Sequence, residues 1–358
     1  MRPLSSRDLL GAPLRRLHAR RGGTCVVLAY HRVIDTPTDP QLQNISPARF
    51  AEQMAVLAAR YTPIPAGLLV EHIETHRPLP PRAVVVTLDD GYANNLGNAL
   101  PVLRAHGVPA TVFVTSGLVG ASRLTWVDEL EDLVLRPAEL PPELALSGPN
   151  GVRTYELPAG SYGAPDPAWS LDSPATDTRT ATYVALADTL LRFSPAERAR
   201  ALASLRNQIG LDPMADEGRR MLSAAELRTL ADNDLITVGA HTDRHARLAS
   251  LPPGQQEQEI VGGVAELGRV LGRTVELFAY PYGGATDYTE RTVALVRRAG
   301  IRAAFTTRYG VATPWSDRWR LPRVSAVRHT GAALAAALDR IYGAGGGDTR
   351  ALPGTDNR

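Results

Sequence analysis

Residues 83–91 read AVVVTLDDG, a short apolar run that leads straight into two adjacent aspartates and a glycine. A run this short and rich in β-branched residues suits a strand buried on both faces of a parallel sheet. Five more runs share the character: CVVLAY (25–30), ATVFV (110–114), LITVGA (235–240), VELFA (275–279) and IRAAFT (301–306). Amphipathic stretches lie between them, for example over 47–61 and 290–299. Ser223, with Glu226 three residues on, makes a capping box that opens another helix. Alternating β and α of this kind implies a parallel sheet or a barrel.

The chain has 358 residues, room for two domains or one large one with a sizeable core. Hydrophobic residues make up 44% and charged residues 21%, ordinary globular usage that argues against wholesale disorder. With 39 basic residues against 37 acidic, the net charge of +2 argues against a nucleic-acid binder. Every basic residue is arginine, so chemistry that needs a lysine is excluded: Schiff bases, pyridoxal phosphate enzymes and Walker-type phosphate loops. The single Cys25 excludes intrachain disulfides, cysteine-rich zinc sites and iron–sulfur clusters.

Residues 1–24 form a basic N-terminal arm with six arginines and no apolar run of signal-peptide length. A cytoplasmic location is therefore expected, with an arm also suited to touching an anionic membrane surface. No run of 18 apolar residues occurs, so no transmembrane segment is expected. Residues 25–342 read as the working domain, and the Gly-rich 343–358 as a disordered tail. The alternation breaks from about 121 to 220, a long insertion with helical pieces near 128–135 and 180–191.

Polar residues collect where the apolar runs stop. Asp89 and Asp90 end the second run, a costly place for two carboxylates unless a cation compensates them. Read alone, the pair also fits a helix N-cap beside a solvated aspartate. HTDRH (241–245) ends another run, and two histidines four apart can face one metal; read alone, they also fit exposed loop residues. Together, two imidazoles and one carboxylate make a three-ligand set with positions open for water, and the spare carboxylate can serve as general base. FAYPYG (278–283) ends a third run in a tight turn whose backbone N–H groups can face the same pocket, or be an ordinary βα turn.

TLDDG (87–91), HTDRH (241–245) and AYPYG (279–283), in that order, resemble the first three motifs of the polysaccharide deacetylases, the NodB-homology or carbohydrate esterase family 4 enzymes. The usual forms are TFDDG, H-S/T-x-x-H and R-x-P-x-G. The opening AYHRV (29–33) and the approach MLSAAELRTLADNDLITVGAHTDRHARL are similar too, so the resemblance spans about 25–120 and 221–340. It implies an irregular (β/α) barrel carrying a long insertion, with its site at the C-terminal strand ends. It makes Asp89 the catalytic base, and Asp90, His241 and His245 the metal ligands. Tyr282 would offer the oxyanion N–H. The implied metal is zinc, or cobalt, nickel or manganese. The implied reaction removes acetyl groups from N-acetylated sugars of a bacterial polysaccharide or its lipid-linked precursor. On that reading, Tyr155, Tyr162 and Trp169 of the insertion suit stacking on sugar rings or packing a small subdomain core.

The departures are specific. Ala279 stands where the third motif has its base-orienting arginine; Arg323 in LPRV is the candidate replacement, against the alternative of a surface arginine. Arg323 and His31 are expected on the substrate side of the pocket. His329 is the candidate for the histidine that protonates the leaving amine, although VRHTG fits that motif poorly, and the D-x-x-D-W motif is not recognisable. Two other readings follow: a non-catalytic carbohydrate-binding protein on the same barrel, and an O-acetyl esterase.

Overall fold

The computed structural model describes residues 23–149, 151–157, 166 and 168–343. Most of the basic arm, the tail from 344 and Tyr162 lie outside the described residues. The strands are β1 (Cys25–Tyr30), β2 (Arg32–Val33), β3 (Asn44–Ile45), β4 (Thr62–Pro63), β5 (Ala83–Leu88), β6 (Ala110–Val114), β7 (Glu143–Gly148), β8 (Gly151–Glu156), β9 (Ile236–Ala240), β10 (Leu277–Ala279), β11 (Ala303–Phe305) and β12 (Val324–Ser325). Eight of them build one curled parallel sheet in the order β11-β10-β9-β6-β5-β1-β12, with β4 paired on β5. The six apolar runs of the sequence are six of these strands.

The register sets the functional edge. Tyr30 pairs with Leu88, Val114 with Ala240, and Ala279 with Phe305, so the strands finish together at one rim. Period-two alternation sorts the side chains. Val26, Leu28, Tyr30, Val84, Val86 and Leu88 face one apolar cluster with the outer helices, while Cys25, Val27, Val85, Phe113, Leu277, Ala279 and Phe305 pack in another within the curl. Asp89 continues the row of Val85 and Thr87 and so inherits their side of the sheet. Helices Pro47–Arg60 and Glu290–Arg298 match their amphipathic stretches to within a residue, and Ser223 caps Ala224–Ala231 in a capping box.

The insertion has its own core. Helix Trp126–Val134, the antiparallel hairpin β7–β8, and helices Thr178–Leu191 and Pro195–Ile209 enclose Leu130, Leu133, Leu144, Tyr183, Leu190 and Leu205. Tyr155 and Trp169 belong to that core: Trp169 packs edge-on against Tyr183, ring centroids 6.0 Å apart. These two therefore support the subdomain and are not open to stack on a ligand. Arg32 and Asp128, both buried, pair across the junction with the sheet. Gln41 Nε2 donates to Tyr183 Oη at 2.6 Å, and Thr38 Oγ1 to Glu131 Oε1 at 2.8 Å. Among the described residues, no helix is long and apolar enough to cross a membrane.

Candidate active site

Asp89, Asp90, His241, His245 and Tyr282 all follow the rim of the sheet. Asp89 N–H donates to Tyr30 O and His241 N–H to Val114 O, extending the ladders one residue past the strands. Asp90 then turns over, with φ at 75°, so that the neighbouring carboxylates serve one pocket. Thr242, His245 and Tyr282 are also left-handed, at 63°, 53° and 62°. Such backbone costs non-glycine residues about 1–3 kcal/mol each and persists only where its surroundings over-determine it. Here Ser116 N–H donates to Thr242 O at 3.1 Å, Gly117 N–H to Asp243 O at 2.8 Å, and Arg244 N–H to Glu259 Oε2 at 2.9 Å. Thr307 Oγ1 donates to Tyr282 O.

Asp90, His241 and His245 converge, each with one ligand atom within 4.8 Å of the others. Asp90 Oδ1 stands 3.4 Å from His241 Nε2 and 3.3 Å from His245 Nε2, yet it is buried with no hydrogen-bond partner among the described residues. A buried, orphaned carboxylate oxygen between two imidazole nitrogens is an arrangement that could hold a cation. Ligand atoms about 2.0–2.1 Å from a tetrahedral ion lie about 3.4 Å from each other, and both imidazole distances to Asp90 Oδ1 fit that spacing. His241 Nδ1 is 2.8 Å from Ala279 O; a carbonyl only accepts, so Nδ1 carries the proton and Nε2 keeps its lone pair for the site. Burial opposes ionisation of Asp90, but the imidazoles of His245 and His241 more than offset it and hold its pKa below the carboxylate range. Burial carries His245 down to about 3, with His241 and Arg198 working in the same direction against Asp90. In His241 the effect of burial is exceeded by Asp90 and Asp89, which raise its pKa.

Asp89 takes a different partner. Arg323, only 2% exposed, donates from Nη1 and Nη2 to its two carboxylate oxygens, 2.7 Å on each side. Arg323 is itself fixed by Nε to Thr306 O at 3.0 Å and by Nη1 to Thr87 Oγ1 at 3.1 Å. It is therefore not a surface arginine but a buried partner of Asp89. Burial pushes the Asp89 pKa up, Arg323 pulls it down further, and the result is below the usual value.

The two remaining histidines separate. His31 lies close enough to lower the pKa of both Asp89 and Asp90, its Nδ1 is buried without a partner among the described residues, and its carbonyl accepts from Asn95 Nδ2 at 2.8 Å. His329 belongs to the outer layer instead. Its N–H donates to Ala326 O at 3.1 Å and its carbonyl accepts from Gln53 Nε2 at 2.6 Å. The charges that act on it are Arg328 and Arg340, and nothing among the described residues joins it to the aspartates. Tyr282 presents a backbone N–H with no protein acceptor among the described residues, and its ring stands edge-on to His245 with centroids 4.9 Å apart. Trp126, which the sequence reading did not single out, donates from Nε1 to Tyr282 Oη at 3.0 Å.

The family model for polysaccharide deacetylase matches residues 76–145 and 209–304, which include Asp89, Asp90, His241, His245 and Tyr282. A poly-beta-1,6-N-acetyl-D-glucosamine N-deacetylase of Escherichia coli (strain K12) is 32% identical over 108 residues, 30% of this chain and 15% of that protein. The Streptococcus pyogenes deacetylase PplD, solved in complex with acetate, superposes with a TM-score of 0.54 at 14% identity, covering 87% of this chain and 96% of that one. IcaB from Ammonifex degensii does so with a TM-score of 0.54 at 21% identity, over 87% and 96% of the two chains. These two are likenesses of fold.

Proposed function

We propose that this chain, which carries the polysaccharide deacetylase domain, is a metal-dependent hydrolase that removes acetyl groups from N-acetylated glucosamine units of a glycan or its lipid-linked precursor. One observation carries the reading: a three-ligand set, Asp90, His241 and His245, stands beside a carboxylate, Asp89, that a buried arginine holds apart from it. The match to an N-deacetylase of an N-acetylglucosamine polymer supports the substrate class.

Asp90 Oδ1, His241 Nε2 and His245 Nε2 would hold the ion, and the mixed N/O set suits zinc, with cobalt, nickel and manganese as alternatives. When bound, a divalent cation supplies Lewis acidity, acidifying water and polarising an acetyl carbonyl. The remaining work falls to the chain. Asp89, kept ionised by Arg323, accepts the proton of the attacking water. The Tyr282 N–H donates to the carbonyl oxygen as the acyl carbon becomes tetrahedral and negative charge gathers there. The C–N bond then breaks, and the leaving nitrogen needs a proton. His31, which follows β1 with a buried, unpartnered Nδ1 and whose charge is felt by both aspartates, supplies it in this reading, in place of His329.

With the arginine role filled by Arg323, the vacancy at Ala279 no longer favours a binding protein without turnover. Acetate release from N-acetylglucosamine oligomers, measured before chelation, after it and after addition of zinc, tests the proposal. Release that chelation abolishes and zinc restores is expected. Release only from O-acetylated oligomers would reassign the chain as an esterase, and no release from either would overturn the reading.

A further inference from the structure

We infer that the insertion contributes a positioning residue to the catalytic centre: Trp126, which holds Tyr282 and, through it, the loop of His245. The inference rests on the metal-hydrolase reading above and assigns part of the centre to a segment outside the sequence motifs.

Trp126 opens helix Trp126–Val134, and its indole N–H reaches Tyr282 Oη at 3.0 Å across 156 residues of sequence. An indole only donates, so the phenol is the acceptor there and its own proton is free to point elsewhere. Tyr282 Oη lies 3.4 Å from His245 O, and the phenol ring packs against the imidazole at 65°. Tyr282 and His245 are both left-handed, so each needs outside contacts to stay in place. The indole is anchored in turn. The guanidinium of Arg198, 3% exposed, lies 4.6 Å over the indole ring, and its Nε and Nη2 donate to Leu190 O and Phe193 O. Two residues along the helix, Asp128 accepts from Thr125 Oγ1 at 2.8 Å and from Tyr92 Oη at 3.1 Å, and pairs with Arg32. The helix start is thus fixed from the sheet and from the insertion core, which lets one indole N–H set the position of the Tyr282 turn.

Trp126→Phe keeps a ring and removes the donor; Tyr282→Phe removes the same hydrogen bond from its other end. Trp169→Phe is the control, since Trp169 Nε1 donates to Pro174 O inside the insertion core, away from the site. Each variant, and the double variant, is loaded with cobalt(II), and its visible ligand-field bands and kcat are recorded. Expected are a band shift and about a tenfold loss of kcat in each single variant, as for one lost hydrogen bond, with KM little changed. The double variant should be no worse than Tyr282→Phe alone, because that variant already removes the Trp126 bond together with the 3.4 Å contact to His245 O. Trp169→Phe should leave bands and kcat unchanged. Unaltered bands and kcat in Trp126→Phe, or losses that multiply in the double variant, would overturn the positioning role alone. A wild-type chain that takes up no cobalt would overturn both this role and the metal-hydrolase reading.

Discussion

Arg323 grips Asp89 through two parallel hydrogen bonds of 2.7 Å, with both side chains almost wholly out of solvent. Paired donors of this kind fix the plane of a carboxylate as well as its charge, which a single ammonium cannot do. Asp89 lies at the end of β5, whereas Arg323 stands immediately before β12, on the far side of β1 in the sheet.

Arg323→Lys should therefore retain metal while losing about 10²-fold in kcat, the scale of a small misplacement of a catalytic group. The pH profile carries the sharper test. Asp89 works when ionised, so its low pKa places the acid limb of kcat/KM below the ordinary carboxylate range, near 3.9 in unperturbed peptides. Weakening the pair raises that pKa and moves the limb to higher pH. A limb that stays in place would show that Arg323 does not tune the base.

The neighbouring aspartates should separate on mutation. Asp90→Asn replaces the ligand oxygen that has no other partner, so metal content and turnover should both fall. Asp89→Asn leaves the three ligands intact and removes the proton acceptor, so metal should remain near stoichiometric while kcat drops by about 10²–10⁴-fold. Metal analysis alongside acetate release reads both quantities. Metal lost by Asp89→Asn and kept by Asp90→Asn would reverse the roles.

The motif residues were legible because they end β-branched runs, and a parallel sheet carries its loops at the strand ends. The partners that organise them were not. Arg323 lies 234 residues from Asp89, and no local pattern distinguishes a buried arginine from a surface one. Trp126 and Arg198 belong to the insertion, whose short helices and hairpin close on a separate core and lack the alternation that exposed the sheet. β2, β3, β4 and β12 have two residues each, too few for periodicity to mark. His31 was visible at the end of β1, but its relation to both aspartates depends on the β1–β5 register, which places Tyr30 opposite Leu88.

His31→Gln should preserve metal binding and reduce kcat, because it removes a proton donor without touching a ligand. The loss should be smaller for an O-acetyl ester than for an amide, since an alkoxide leaves more easily than an amide nitrogen. His329→Gln should leave turnover near wild type. Comparing both variants on an ester and an amide substrate decides between the two histidines.

Metal uptake should weaken on acidification, with His241 setting the window. Its pKa is raised, so as pH falls it is the first of the two imidazoles to take a proton and withdraw its lone pair. His245, carried down to about 3, stays neutral throughout that range. Apparent zinc affinity should therefore begin to decline above the ordinary histidine value of about 6.5, with a slope of one proton. A slope of two would mean that both imidazoles titrate together.

The loop bearing both histidines can be tested without touching a ligand. Gly263 opens helix Gly263–Leu271, and a Cβ there would lie 2.8 Å from Asp243 N and 2.9 Å from the Thr242 carbonyl carbon. Its backbone is not left-handed, so the objection to a side chain is space alone. Alanine in a helix normally gains about 1 kcal/mol over glycine, which predicts a more stable protein if the contact does not matter. Here the backbone between His241 and His245 must move instead, and that backbone is held from the other side by Ser116 and Gly117. Gly263→Ala should therefore weaken zinc binding at least about tenfold, measured by chelator competition, whatever happens to thermal stability. Gly262→Ala is the matched control, because its Cβ would meet nothing nearer than Gln258 Cγ at 3.9 Å, and zinc binding should be unchanged. Equal affinities in the two variants would show that the loop tolerates the displacement and that its left-handed residues are not what fixes the ligands.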